Sequence, residues 1–174
     1  ITVWAYADHS YTQKLILSKQ NAKLDNNPGY LLRAGANHTF TVRLSDGDEY
    51  ITGSDGNTLA LGWHHFAVKI DQTANTMTRY VDGAAYGSAT SITSLATITN
   101  SEALQIGRRL DSTDGSNTGN YFDGRIADVR IYKGVALEQA DIQVLASKIN
   151  IDKTLGPDTT NLKAHWKLTD ALVD

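Results

Sequence analysis

Phe122-Asp123-Gly124-Arg125-Ile126-Ala127-Asp128-Val129-Arg130-Ile131-Tyr132-Lys133-Gly134-Val135-Ala136-Leu137 is the stretch whose reading decides the fold. Ala127, Val129 and Ile131 alternate with Arg125, Asp128, Arg130 and Tyr132, and because successive strand side chains point to opposite faces, this marks a half-buried β-strand. Gly134 ends it and a short amphipathic segment follows. Downstream, Leu137, Ala140, Asp141, Val144 and Leu145 fall at helical spacing, which predicts a helix near residues 137–147 and no other. A polar connector over 148–161, containing Gly156-Pro157, then leads to a last strand over 162–168.

Upstream, residues 62–71 read as the clearest central strand, with Phe66, Val68 and Ile70 on one face. Residues 77–81 return after the turn Asp71-Gln72-Thr73-Ala74-Asn75, and Asp82-Gly83 closes them. The opening residues 1–7 set Ile1, Val3, Ala5 and Ala7 against Thr2, Trp4 and Tyr6. Further short strands are expected at 15–19, 29–33, 40–44, 49–52 and 104–107, punctuated by Asp25-Asn26-Asn27-Pro28-Gly29 and Ser45-Asp46-Gly47-Asp48. Residues 111–120 contain no apolar side chain and read as a solvated loop.

Composition supports one all-β domain. The chain of 174 residues is long enough for one sizeable core and short for two, and its apolar share of 41% is broken into short runs by Thr, Ser, Asn, Asp and Gly. The formal charge is -3 with Lys and Arg scattered along the sequence, so nucleic acid is not an expected partner. No apolar run reaches about 18 residues and no basic n-region precedes an apolar h-region, so membrane insertion is not expected. Ile at position 1 suggests a mature, processed or excised chain. The absence of cysteine removes disulfides and thiolate chemistry and leaves the redox compartment open.

Five pieces resemble, in order, the laminin-G-like jelly roll within the concanavalin A-like lectin and glucanase superfamily. They are residues 1–7, Trp63-His64-His65-Phe66-Ala67-Val68, Tyr80-Val81-Asp82-Gly83, Leu104-Gln105-Ile106-Gly107 and the 122–137 run. The resemblance implies a two-sheet antiparallel jelly-roll sandwich, with residues 1–147 as its body, and an extracellular or cell-surface setting. One departure stands out. A strand similar to the family's opening one, Ala164-His165-Trp166-Lys167-Leu168, comes last here, within a C-terminal piece spanning 162–174. A sandwich short of a strand exposes unpaired backbone groups and an apolar groove. The tail is therefore expected to fill that gap in its own chain as a circular permutant, to complete another copy in a polymer, or to begin the next module of a tandem array. Leu162, Ala164, Trp166 and Leu168 are the candidate assembly residues, with other copies or adjacent modules as partners. The first functional expectation is accordingly a non-catalytic structural or adhesive module linked by strand complementation. The alternative is a lectin-like module that binds extracellular polysaccharide, with or without calcium.

Candidate sites follow from residue type. Glycoside hydrolysis needs a carboxylate pair, supplied in glucanase relatives as Glu-x-Asp-x-Glu; Glu49, Glu102 and Glu138 are isolated and no enzyme is expected. Adjacent His64 and His65 point to opposite faces of a strand and cannot converge on one metal alone, so one packed and one exposed histidine are expected. Calcium suits loop oxygens: Asp111, Asp114, Asn117 and Asn120 form the first candidate set, Asp46 and Asp48 the second. For stacking on sugar rings, Trp4, Tyr6, Tyr30, Tyr50, Tyr86 and Tyr121 are available, with Tyr121 beside the polar loop singled out, whereas Trp63 and Trp166 align with family core positions. Asn37-His38-Thr39 is one glycosylation sequon.

Overall fold

A computed structural model describes residues 1–7, 14–20, 27–35, 38–53, 56–109, 121–147 and 160–168. Its elements, in chain order, are β1 (Thr2–Ala7), β2 (Lys14–Lys19), β3 (Gly29–Ala34), β4 (Phe40–Ser45), β5 (Tyr50–Gly53), β6 (Gly62–Asp71), β7 (Thr76–Val81), β8 (Ala84–Ala85), β9 (Thr90–Ser91), β10 (Gln105–Ile106), β11 (Arg125–Tyr132), α1 (Gln139–Ala146) and β12 (Leu162–Trp166). Two antiparallel sheets face each other, one seven-stranded in the order β12-β11-β1-β6-β7-β8 with β9 also on β7, the other five-stranded in the order β10-β2-β3-β4-β5. The jelly-roll expectation and the one helix are both met. The two-residue strands β8 and β9 are additions too short to leave a periodic signal.

Alternation on each strand builds the core. Val3 and Ala5 from β1, Phe66 and Val68 from β6, and Met77 and Val81 from β7 meet Leu32 and Ala34 from β3 and Phe40, Val42 and Leu44 from β4. A polar side chain enters this layer: Arg79, 1% exposed, donates from Nη1 to the Phe40 carbonyl at 2.8 Å and lies over the Tyr86 ring. Gly53 makes room for it, since a Cβ there would come within 2.7 Å of the Arg79 Nε. The β7–β8 connection is the two-residue turn Asp82-Gly83, both residues having positive φ (51° and 80°), which matches the twist of a hairpin.

The decisive stretch departs from strict alternation. A bulge in β11 against β1 pairs Thr2 with Arg130 but Trp4 with Ala127, and Asp128 takes a φ of 48°, a conformation Asp tolerates better than most residues. The added residue lets Ile126 and Val129, three apart, both face the core, whereas Ala127 turns to the outer side with Trp4. Asp128 and Arg130, which the alternation assigns to the half-buried strand's polar side, are 2% and 0% exposed. They are covered because α1 packs Ile142 and Leu145 onto Ala67, Tyr80 and Tyr132, and because β12 lies alongside β11.

The C-terminal strand β12 pairs with β11 at the edge of the seven-stranded sheet. Trp166 pairs with Val129, His165 with Arg130, Ala164 with Ile131 and Leu162 with Tyr132. Trp166 is 36% exposed at the margin, lining a cleft of about 710 Å³ between the sheets, and Leu168 is 40% exposed. Trp63 stacks on Tyr6 on the outer side of the seven-stranded sheet, ring centroids 5.6 Å apart. Neither tryptophan occupies the inter-sheet core expected from the family alignment. Among the described residues, no helix is long and apolar enough to cross a membrane.

Candidate functional site

The outer face of the five-stranded sheet concentrates polar and aromatic side chains over an aliphatic floor. Because Leu32, Phe40, Val42 and Leu44 point inward, their strand neighbours Leu31, Arg33, Thr41 and Arg43 point outward. A bulge between Leu15 and Leu17 sends Ile16 and Leu17 both into the core and Leu15 outward. Two cross-strand rows result. One runs Tyr121–Leu15–Arg33–Thr41, Tyr121 joining through an isolated bridge to Leu15; the other runs Gln105–Ser18–Leu31–Arg43–Thr52.

Tyr121 is 49% exposed at one end of its row and Tyr50 59% exposed at the other side of the sheet. The Arg43 guanidinium lies 3.9 Å from the centre of the Tyr50 ring, a cation–π contact. At the opposite edge Arg108 Nε donates to Gln105 Oε1 at 2.7 Å. The next residue, Arg109, lies close enough to Arg33 to act on its charge: burial, then Arg43, then Arg109 hold the Arg33 guanidinium below its ordinary value. The strand positions of this face that are described carry no Asp or Glu. Guanidinium forks, amides and phenol rings above Leu15 and Leu31 suit a ligand with an apolar ring face and oxygen acceptors at its rim.

The seven-stranded sheet carries a second polar cluster, and it is closed. Arg130 donates from Nε to Asp128 Oδ1 at 2.7 Å and from Nη2 to Oδ2 at 3.3 Å, and His165 Nε2 shares a 2.7 Å hydrogen bond with Asp128 Oδ1. His65, 1% exposed, stacks on Trp4 at 5.4 Å, and Trp4 Nε1 donates to the Leu145 carbonyl of α1. Burial pushes His65 down to about 4. His165 is lowered too, by burial and then by Arg130, with Asp128 opposing. These groups fasten β12 and α1 to the sheet and leave no opening for a ligand.

The other sequence candidates separate accordingly. His64, on the opposite face from His65, bonds Asp82 Oδ2 at 2.6 Å and the Ala60 carbonyl at 3.0 Å, and the bond to Asp82 raises its pKa. Asp46 caps a turn: Oδ1 accepts from the N–H of Asp48 and Glu49 and Oδ2 from Ala96, which lowers its pKa and engages both oxygens that calcium would need. Among the described residues no group of three or more His, Cys, Asp or Glu could hold a metal. Asp111, Asp114, Asn117, Asn120 and the sequon Asn37 lie outside the described residues. Tyr86 is buried, its hydroxyl donating to the Asn57 carbonyl, and Tyr30 packs against the core, where burial raises it to about 12. A small pocket lined by His38, His64 and Phe66 has about 10 Å³, room for a single water. Tyr121 lies on this outer face, from whose strands Arg33 and Arg43, not singled out in the sequence, also point outward. Their signal was arginine in outward phase on two neighbouring strands, Arg33 two residues after Leu31 and Arg43 two after Thr41.

Fold and site together define a non-barrel, two-sheet jelly roll with one polar aromatic face at the surface and the other closed by a helix and an edge strand. A laminin G family model, described as concanavalin A-like lectin/glucanases superfamily, matches residues 1–143, and the chain belongs to that family. No curated protein matches the chain in sequence. Among solved structures it is similar to a candidate carbohydrate binding protein from Bacteroides ovatus, with 18% identity and a TM-score of 0.67 over 95% of this chain; the match spans 44% of that protein's length. It is also similar to the CBM40 of Ruminococcus gnavus IT-sialidase, with 12% identity and a TM-score of 0.65 over 84% of this chain and 82% of that one. A heptameric SAP-like pentraxin from Limulus polyphemus aligns with 19% identity and a TM-score of 0.60 over 84% of this chain and 69% of that one.

Proposed function

We propose that the chain is a non-catalytic carbohydrate-binding module, placed outside the cell or at its surface, whose ligand lies on the outer face of the five-stranded sheet. The observation that carries the reading is the row Tyr121–Leu15–Arg33, in which an exposed aromatic ring and a guanidinium flank the aliphatic Leu15. A sugar presents an apolar ring face to the tyrosine and hydroxyl acceptors to the guanidinium. The similar structures support this choice of class: one is a candidate carbohydrate binding protein, and the Ruminococcus gnavus CBM40 also has a structure bound to α2,3-sialyllactose. The test is a glycan array followed by calorimetry on the wild type and Tyr121→Ala, with calcium and with chelator. Binding weakened at least about tenfold by the substitution supports the reading; no glycan bound in either condition rejects it.

Assembly by strand exchange is a second reading, favoured by the place of β12. It closes the seven-stranded sheet at its edge, pairs with β11 alone, and carries Trp166 one-third exposed, so the same ladder offered by another copy would be equivalent. Light scattering across a concentration series tests it: a monomer throughout, with residues 162–166 protected from hydrogen exchange, removes it.

A further inference from the structure

We infer that His64 is a pH-sensitive clasp: with its ring doubly protonated it fastens residues 56–61 over the end of the sandwich beside Tyr121, and on losing a proton it lets them go. The clasp stands on its own geometry, and its bearing on a ligand rests on the carbohydrate-binding reading above.

The segment crosses from β5 of one sheet to β6 of the other, and little holds it. Gly56, Asn57, Thr58, Ala60 and Leu61 are exposed, and only Leu59 packs against the core. Among the described residues two hydrogen bonds tie it down: the Tyr86 hydroxyl donates to the Asn57 carbonyl, and the His64 ring meets the Ala60 carbonyl. An exposed segment with so few bonds opens at low cost, so each bond counts.

The His64 ring faces an acceptor at each nitrogen. Nδ1 lies 2.6 Å from Asp82 Oδ2 and Nε2 lies 3.0 Å from the Ala60 carbonyl oxygen. A neutral imidazole has one N–H and one lone pair and can serve only one of them, whereas the imidazolium donates to both. Asp82 is itself held in place, since its Oδ1 accepts from the His65 N–H at 2.8 Å. It is the charged group that acts on the ring; Ala5, Ile16, Ala34 and Leu59 around the ring are apolar, and His38 on the same pocket is the other titratable neighbour. When the ring gives up a proton, Nδ1 keeps its own, because a lone pair there would face the carboxylate. The Nε2 lone pair then points at the Ala60 carbonyl, and attraction becomes repulsion. The bond to Asp82 raises the pKa above 6.5, against burial, so the clasp is fully closed below 6.5 and is lost as pH rises through the raised value.

The place of the clasp connects it to the glycan face. Leu59 and Ala60 share with Phe66 and Phe122 the pocket of about 10 Å³, which widens when the segment leaves. Phe122 is anchored by its N–H to the Gly107 carbonyl, and the preceding Tyr121 bridges to Leu15. Opening the segment strips packing from Phe122 and so loosens the tyrosine that the sugar is to stack on.

The test is an NMR titration of the whole chain between about pH 5.5 and 9, in which ring nitrogen shifts report the charge and tautomer of His64 apart from His38. The His64 midpoint is expected above 6.5, with Nε2 the nitrogen that loses its proton, and the amides of Leu59, Ala60, Leu61, Tyr121 and Phe122 are expected to move with it. Thermolysin cleavage at Leu59 or Leu61, referenced to an unfolded peptide at each pH, is expected to rise about tenfold across the midpoint, the scale of one charge-assisted hydrogen bond. Two variants separate a clasp from a merely packed ring. His64→Phe is expected to be cut rapidly at every pH. Asp82→Asn lets a neutral ring accept from the new amide at Nδ1 and keep its proton on Nε2, so its His64 midpoint falls and its segment stays closed throughout. Should His64→Phe fail to fold, Asp82→Asn decides. A midpoint at or below 6.5, or segment amides and cleavage that ignore it, overturns the clasp; a Tyr121 amide that stays still while residues 59–61 titrate overturns its link to the glycan face. No glycan enters the test, so either failure leaves the carbohydrate-binding reading to stand or fall on the array.

Discussion

The two outer faces of the sandwich use the same chemistry to opposite ends. On the seven-stranded sheet Asp128, Arg130, His165 and His65 are buried beneath α1 and beside β12, and their hydrogen bonds hold those elements down. On the five-stranded sheet no helix among the described residues covers Arg33, Arg43 and Gln105, which are half-buried on the same face as the exposed Tyr50 and Tyr121. The difference teaches that an arginine in outward phase on a strand has no fixed role. What packs over the face decides whether it stabilises the fold or meets a ligand.

Breaking the closed face should produce the largest effect. Arg130→Ala removes the guanidinium that bonds both oxygens of the buried Asp128 carboxylate, and the expected loss of stability is about 3–5 kcal/mol by the cost of splitting a buried ion pair. Urea unfolding measures it. Arg43→Ala, at a partly exposed position of the other face, is expected to lose less than about 1 kcal/mol in the same experiment. Equal losses at the two arginines would erase the contrast between the faces.

The next effect comes from acid. His65 sits among Trp4, Asp128, Asp82 and Arg130, and burial pushes its pKa from 6.5 down to about 4. Between those values the unfolded chain binds the proton and the folded chain does not, so stability falls as pH drops through this window; above 6.5 the group contributes no pH dependence. The expected loss attributable to His65 is roughly 3 kcal/mol on reaching the lower value. His165, lowered in the same direction, adds to it. Unfolding free energies of wild type and His65→Phe across this range test the assignment, since the phenyl ring keeps the stacking on Trp4 and cannot titrate. Parallel pH profiles for the two proteins would show that His65 is not the source.

How much of this was legible in the sequence follows from the same contrast. The alternation of residues 62–71 and the helical spacing after Leu137 place β6 and α1 correctly because each depends on local period alone. The bulge at Asp128 was not legible: alternation cannot show where one added residue reverses the faces, and so Ala127 was assigned to the wrong side. Asp128 and Arg130 read as the polar side of a half-buried strand because the sequence does not reveal that α1 and β12 return to cover them. Tyr121 drew attention through its neighbouring polar loop, whereas that Arg33 and Arg43 share its face follows only once β3 and β4 are paired in register. Tyr86 shows the reverse error, an available aromatic that the fold buries behind Phe40.

The smallest expected effect tests whether the open face is organised before any ligand arrives. Arg43 stacked on Tyr50 is a surface cation–π pair, and a double-mutant cycle of Arg43→Ala, Tyr50→Ala and both together should give a coupling of about 0.5–1 kcal/mol. Tyr50 is 59% exposed, so its packing against the rest of the protein is slight and the coupling term is cleanly read. If the coupling is present, truncating Tyr50 removes the ring on which the guanidinium rests, and a ligand must then order it at the cost of side-chain entropy. Glycan affinity should therefore fall in Tyr50→Ala even though the tyrosine need not touch the sugar. A coupling indistinguishable from zero, with glycan affinity unchanged, would take Arg43 out of the recognition surface and leave it to Tyr121 and Arg33.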